Sequence, residues 1–251
     1  MPHRALAEKR PYLVLSLIAA FAYYYLQVSD LPGLFLVPIK GSAVAFLAIY
    51  AWMRHSSRDA HMLALALVFA SLGDMLIASA SGLVDVILPG LAPYLPLNFD
   101  LIAGAVAFVG FHIIALLVFL RNKREALEGR DSLMFLILLL GTPLVAYFLP
   151  YEESMRPLVA LYALPLGMMA AGAWASDFPR LKVAAGAILF VISDWLIFSE
   201  LGPFSGTRIP ELLVWPIYYL GMFLITVGVI TTLRKRDPEL SVVQGGLENT
   251  Q

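Results

Sequence analysis

Eight runs of mostly apolar residues, each close to the length of a membrane span, dominate this chain: 12–29, 34–53, 62–80, 98–120, 132–149, 156–175, 181–199 and 212–233. A helix needs roughly 20 such residues to cross about 30 Å of hydrocarbon. The runs are continuous, as at 133–140, whereas a transmembrane barrel shows short alternating segments. The predicted fold class is therefore all-α: a polytopic membrane protein with eight transmembrane helices. Composition agrees, at 60% hydrophobic and 14% charged residues. An ordinary soluble domain carries roughly 45–50% and about 25%, so a soluble globule and a disordered chain are both disfavoured. One transmembrane domain is expected over 1–237, followed by a polar, disordered cytoplasmic tail at 238–251.

The net charge of −1 offers no basic field for nucleic acid. Without cysteine there is no disulfide, thiolate nucleophile or Cys-ligated metal. Arg4, Lys9 and Arg10 precede the first run as in a signal peptide, but the run reaches about 18 residues and no small-x-small site follows. A retained first helix is expected.

Orientation follows from the cations. Arg4, Lys9, Arg10, Arg54, Arg58, Arg121, Lys123, Arg124, Arg130, Arg180, Lys182, Arg234, Lys235 and Arg236 all fall on one side of an eight-span topology. Arg156 and Arg208 fall on the other, and Lys40 lies within a span. The positive-inside rule then puts both termini in the cytoplasm, at the inner (cell) membrane for a bacterial chain. The basic stretch 121–130 reads as a solvated loop that sets orientation. The segment 81–97 is apolar but interrupted by Pro89, Pro93 and Pro96. It reads either as a flap lying in the outer interface or as a plain connector.

Strongly polar side chains inside the spans are few: Lys40, Asp74, Asp194 and His112. Each buried Asp or Lys costs roughly 2.5–3.5 kcal/mol at a span centre, and the default reading of such a residue is functional. A structural Lys–Asp pair and a packed histidine are the plain alternatives. Helical rise puts Lys40, Asp74 and Asp194 at one depth, about 10 Å below the outer edge, with His112 deeper. An outward-opening cavity would collect them if their helices are neighbours. The segment 72–79 also echoes 192–199 at an offset of 120 residues, compatible with two parallel four-helix halves. No G-x-S-x-G or H-E-x-x-H motif occurs. The four histidines make a poor zinc site, so neither a metal nor another cofactor is expected. Buried carboxyls of this kind suit acid/base catalysis or the carriage of protons by a transporter.

Several positions, in order, resemble the YhhN-like family, which includes the lysoplasmalogenases. Lys40 is similar to the family's early lysine, with Gly41 where a proline is usual. The segments 71–76 (SLGDML), Phe108-x-x-Phe111-His112 and 186–194 (GAILFVISD) resemble its central motifs, with Ala115 in place of an aromatic. The segment 218–225 (YYLGMFLI) is similar to its last-helix pattern, with Met222 in place of a polar residue.

The resemblance implies hydrolysis of the vinyl ether of a lysoplasmalogen, a lysophospholipid drawn from the bilayer, giving a fatty aldehyde and a glycerophospho-headgroup. Vinyl ethers break by protonation at the β-carbon followed by capture of water, which calls for one protonated and one ionised carboxyl. Burial and mutual repulsion separate the titrations of neighbouring carboxyls, and such a pair titrates as a unit. Asp74 and Asp194 are the implied catalytic pair, with the acid unassigned. Lys40 is expected to hold the substrate phosphate or tune the pair, and His112 to contact substrate. Ser71, one turn from Asp74, is spaced to hydrogen-bond it. Tyr218 and Tyr219 are candidates for the headgroup pocket, with interfacial anchoring as the alternative. A proton-coupled transporter of a small or lipid-like solute, using the same aspartates, is the competing reading.

Overall fold

The computed structural model describes residues 10–29, 31, 33–78 and 99–237. Arg4 and Lys9, the segment 81–97 and the tail 238–251 lie outside the described residues. Within them the chain is helical, with no strand beyond a single bridge pairing Lys123 with Ser176. The helices are α1 (Arg10–Leu26), α2 (Gly33–Arg54), α3 (Arg58–Ala78), α4 (Phe99–Arg121), α5 (Gly129–Phe148), α6 (Arg156–Ala175), α7 (Arg180–Ser199) and α8 (Ile209–Arg236). Seven of these, α2 to α8, are long and apolar enough to cross a membrane.

The first helix departs from expectation. It has 17 residues and stops at Leu26, short of the expected 29. The reason is local: both the backbone N–H and the hydroxyl of Ser29 donate to the Leu26 carbonyl, at 3.0 and 2.5 Å. That satisfies the helix end and turns the chain toward α2.

Consecutive helices pack as neighbours from α1 to α4. The bundle continues from α4 to α6, α7 and α8, and α8 closes it by reaching back to α1, α2 and α3. α5 leans on α6 from outside, with Leu133, Leu140, Leu144 and Phe148 facing outward. Two crossings are made by glycine. An added Cβ on Gly73 in α3 would stand 2.8 Å from the Phe108 ring and 3.2 Å from the Gly104 carbonyl oxygen of α4. One on Gly186 in α7 would stand 2.6 Å from the Gly221 carbonyl oxygen of α8. Membrane helices lack a hydrophobic drive toward each other, so close backbone approach over small residues holds them.

These crossings bracket the two aspartates. The echoing segments nevertheless have different surroundings, since α3 packs chiefly on α2 and α4, and α7 on α8.

The basic helix ends meet at one end of the bundle. Arg121 Nε donates to Asp59 Oδ1 at 2.6 Å, Arg236 Nη1 to Asn122 Oδ1 at 3.0 Å, and Arg234 Nη1 to the Arg54 carbonyl at 3.2 Å. Arg180 pairs with Asp131 between α7 and α5.

Candidate functional site

Two cavities mark the described surface. One, about 490 Å³, is an apolar groove between α2 and α3 lined by residues such as Ile49, Trp52, Leu65 and Val68, with Ser71 as its polar member. The other, about 270 Å³, is lined by side chains of every helix except α5 and holds the buried charges. It lies toward the end opposite the arginine cluster, with Gln27, Glu200, Pro210 and Glu211 at its mouth.

Asp74, 1% exposed, forms one wall. The Tyr218 hydroxyl donates to its Oδ2 at 2.7 Å, and Lys40 Nζ stands 3.7 Å from its Oδ1. Lys40 keeps 15% of its side chain exposed. Its ammonium lies 5.6 Å from the ring centres of both Tyr23 and Trp215, within reach for cation–π attraction. Those rings sit 4.5 Å apart, and the Trp215 indole N–H donates to the Ala20 carbonyl at 3.0 Å. The lysine is thus held by α1, α3 and α8 together.

Asp194, 3% exposed, lines the same cavity from α7. Ser193 Oγ donates to the Phe190 carbonyl at 2.8 Å and only distantly, at 3.5 Å, to Asp194 Oδ1. Oδ2 has no hydrogen-bond partner among the described residues. Tyr162 lines the same cavity from α6. The next residue, Trp195, donates its indole N–H to the Thr142 carbonyl at 3.2 Å. That carbonyl lies just beyond a π-helical turn at Ile137–Gly141 in α5. Phe108, Phe190 and Tyr218 fill the space between the aspartates with edge-on ring contacts at 5.1–6.0 Å.

The cavity therefore brings together Lys40, Asp74, Asp194 and Tyr218. Three other expected residues point elsewhere. Ser71 Oγ donates to the Gly41 carbonyl of α2 at 2.8 Å, not to Asp74. Tyr219 shares a 2.7 Å hydrogen bond with Ser16 of α1, because a one-residue step turns its ring about 100° from Tyr218. His112 is fully buried behind the wall, among Phe111, Phe190 and Tyr162, with both ring nitrogens unpartnered among the described residues.

Tyr162, Tyr23, Trp215 and Glu200 were not picked out by sequence reasoning. A hydroxyl in the middle of the apolar run 156–175 is a readable signal for Tyr162; the aromatic pair around Lys40 has none in sequence. Among the described residues no group of three or more His, Asp or Glu is placed to hold a metal ion.

No curated protein and no solved structure matches this chain. The model of the YhhN family matches residues 35–229, from the start of α2 to within the last two turns of α8, and so takes in Lys40, both aspartates and Tyr218. This multi-pass helical membrane protein belongs to the YhhN family.

Proposed function

We propose that the protein is an intramembrane ether hydrolase that cleaves the vinyl ether of a lysoplasmalogen. The observation that carries this reading is the unequal pair of carboxyls facing one cavity. Asp74 is compensated by Lys40 and by the Tyr218 hydroxyl, while Asp194 has no cation beside it among the described residues. A carboxyl buried without a partner charge is stable only when neutral. Asp194 is therefore assigned as the acid and Asp74 as the carboxylate.

The chemistry balances with water as the only co-reactant. Asp194 delivers its proton to the β-carbon of the vinyl ether, and the double-bond electrons form the new C–H bond. The resulting oxocarbenium ion is stabilised by the Asp74 carboxylate, much as a carboxylate serves in glycoside cleavage. Water adds to the cationic carbon as Asp74 takes its proton. The hemiacetal then breaks its C–O bond to the glycerol: the proton held on Asp74 passes to the departing glycerol oxygen while the hemiacetal hydroxyl gives its proton to Asp194, which releases the aldehyde and the free glycerol hydroxyl and restores both carboxyls. A space of about 270 Å³ suits the ether and glycerol portion, with the hydrocarbon chain passing outward between helices into the bilayer. In this reading α1 completes eight spans in a single domain over 1–237. The arginine-rich end is cytoplasmic, and the cavity opens toward the outer leaflet.

α3 and α7 run unbroken past Asp74 and Asp194, unlike the discontinuous helices that build many transporter sites. Purified protein incubated with a lysoplasmalogen is expected to release aldehyde. No release from any vinyl ether, combined with proton-dependent solute uptake in liposomes, would overturn the hydrolase in favour of a transporter.

A further inference from the structure

The apolar groove between α2 and α3 shares no lining residue with the cavity that holds the aspartates. Its floor includes two small buried residues, Ala48 and Ala64, and its α3 wall carries Leu65, Val68 and Leu72, each nearly half exposed. Those three are spaced three and four apart, so they form one face of the helix. The same spacing continues through His61 to Arg58 at the start of α3. Toward the arginine-rich end the groove is closed by Trp52 of α2, whose ring stacks on His61 at 4.1 Å. Beyond that stack stands Arg58, exposed and without an ion pair among the described residues. The neighbouring Asp59 does not answer it, because Arg121 and Asn122 at the end of α4 hold its two oxygens, at 2.6 and 2.8 Å.

We infer that this groove seats an anionic phospholipid of the leaflet at the arginine-rich end, with one hydrocarbon chain against the alanines and the headgroup at Arg58. The length fits. From Arg58 to Leu72 the helix rises about 21 Å, and one leaflet with its headgroup region is about 20–22 Å deep. The chemistry along the stripe also runs in the order of a lipid: apolar wall, aromatic pair, then cation. Aromatic rings favour the membrane interface, which puts the guanidinium beyond them at the level of the phosphates. The N-terminal end of α3 adds positive partial charge at the same place. A lipid without net charge would cover the alanine floor equally well but leave Arg58 unanswered.

The seat and the substrate cavity lie on different sides of the α2–α3 pair, with Ser71 at the inner end of the groove bonded to the Gly41 carbonyl beside Lys40. Occupancy of the groove does not depend on the hydrolase reading, and it is measured with no substrate present.

The test uses full-length protein in phosphatidylcholine vesicles and reads the quenching of Trp52 by lipids with brominated chains. Trp52 is isolated as the difference between wild type and Trp52→Phe, since Trp174, Trp195 and Trp215 remain in both. Brominated phosphatidylglycerol is expected to quench it at about fivefold lower mole fraction than brominated phosphatidylcholine, the scale of one basic residue near an anionic surface. Arg58→Gln is expected to remove the preference. Arg130→Gln, at an exposed cation of α5 away from the groove, is expected to keep it. Free glycerol phosphate is expected not to relieve the quenching, because it has no chain for the groove. Equal quenching by the two lipids, a preference that survives Arg58→Gln or is lost alike in Arg130→Gln, or relief by glycerol phosphate overturns the seat. So does a Trp52 quenched by neither lipid, the result expected if a second copy of the chain covers the groove.

Discussion

Replacing Gly186 with alanine tests whether the α7–α8 crossing sets the geometry of the site. The new methyl would stand 2.6 Å from the Gly221 carbonyl oxygen, where ordinary contact begins at 3.4 Å, so the helices must part by about 0.8 Å. The obstacle is backbone and cannot rotate away. Overpacking of this kind costs about 1–3 kcal/mol, and alanine's better helix propensity returns up to about 1 kcal/mol, leaving a modest net loss of stability. The effect on chemistry is larger. Gly186 lies two turns before Asp194, and Gly221 lies three residues after Tyr218, so the shift moves the acid relative to the Asp74–Tyr218 pair. A misplacement near 1 Å can cost on the order of a hundredfold in rate. The assay is the initial rate of aldehyde release beside thermal unfolding of the same sample. Gly129→Ala serves as control, since nothing lies within 4 Å of a Cβ there. A Gly186→Ala protein that turns over at the wild-type rate would refute the claim that this crossing positions the site.

Three further outcomes are expected. Tyr218→Phe removes the 2.7 Å donation to Asp74 and should slow aldehyde release about 10- to 100-fold, while binding of a saturated alkyl-ether lysolipid stays near wild type; parallel loss of both would make the hydroxyl merely structural. Lys40→Met leaves Asp74 buried without its cation and should destabilise the protein by on the order of 3 kcal/mol. Adding Asp74→Asn should recover most of that loss, and an uncoupled double mutant would show that the pair does not matter for folding. His55, in the turn between α2 and α3, has its pKa lowered by burial, which outweighs the pull of Asp237 3.4 Å from Nε2. The unfolded chain therefore binds its proton more readily, so this contribution is complete above pH 6.5 and is lost as pH falls below it. His55→Gln should flatten that part of the acid-unfolding profile, and an unchanged profile would contradict the assignment.

The sequence was most readable where one helix suffices. Apolar runs marked the starts of α2 to α8 to within about four residues, because span length is set by the bilayer and not by partners. Scarcity of charge singled out Lys40, Asp74 and Asp194, since each is costly in hydrocarbon whatever surrounds it. Readings that depended on a neighbouring helix fared differently. Ser71 has the spacing to reach Asp74 within α3, yet the Gly41 carbonyl across the helix pair accepts its proton. Tyr218 and Tyr219 are alike in sequence, but only the bundle decides which turns to Asp74 and which to Ser16. The ring pair around Lys40 joins residues 23 and 215, a separation at which no local pattern operates. The end of α1 at Leu26 was hidden because the Ser29 hydroxyl ends the helix inside an apolar run.

The most direct measurement of the central claim is aldehyde release from a lysoplasmalogen in D2O, with the aldehyde reduced at once to the alcohol to prevent exchange. Wild type is expected to place one deuterium on the carbon next to the carbonyl, the former β-carbon. Asp194→Asn, folded by thermal unfolding and lipid-binding criteria, is expected to lose on the order of 10²–10⁴-fold in rate. Full turnover with the same single deuterium in both Asp194→Asn and Asp74→Asn would contradict catalysis by this buried pair.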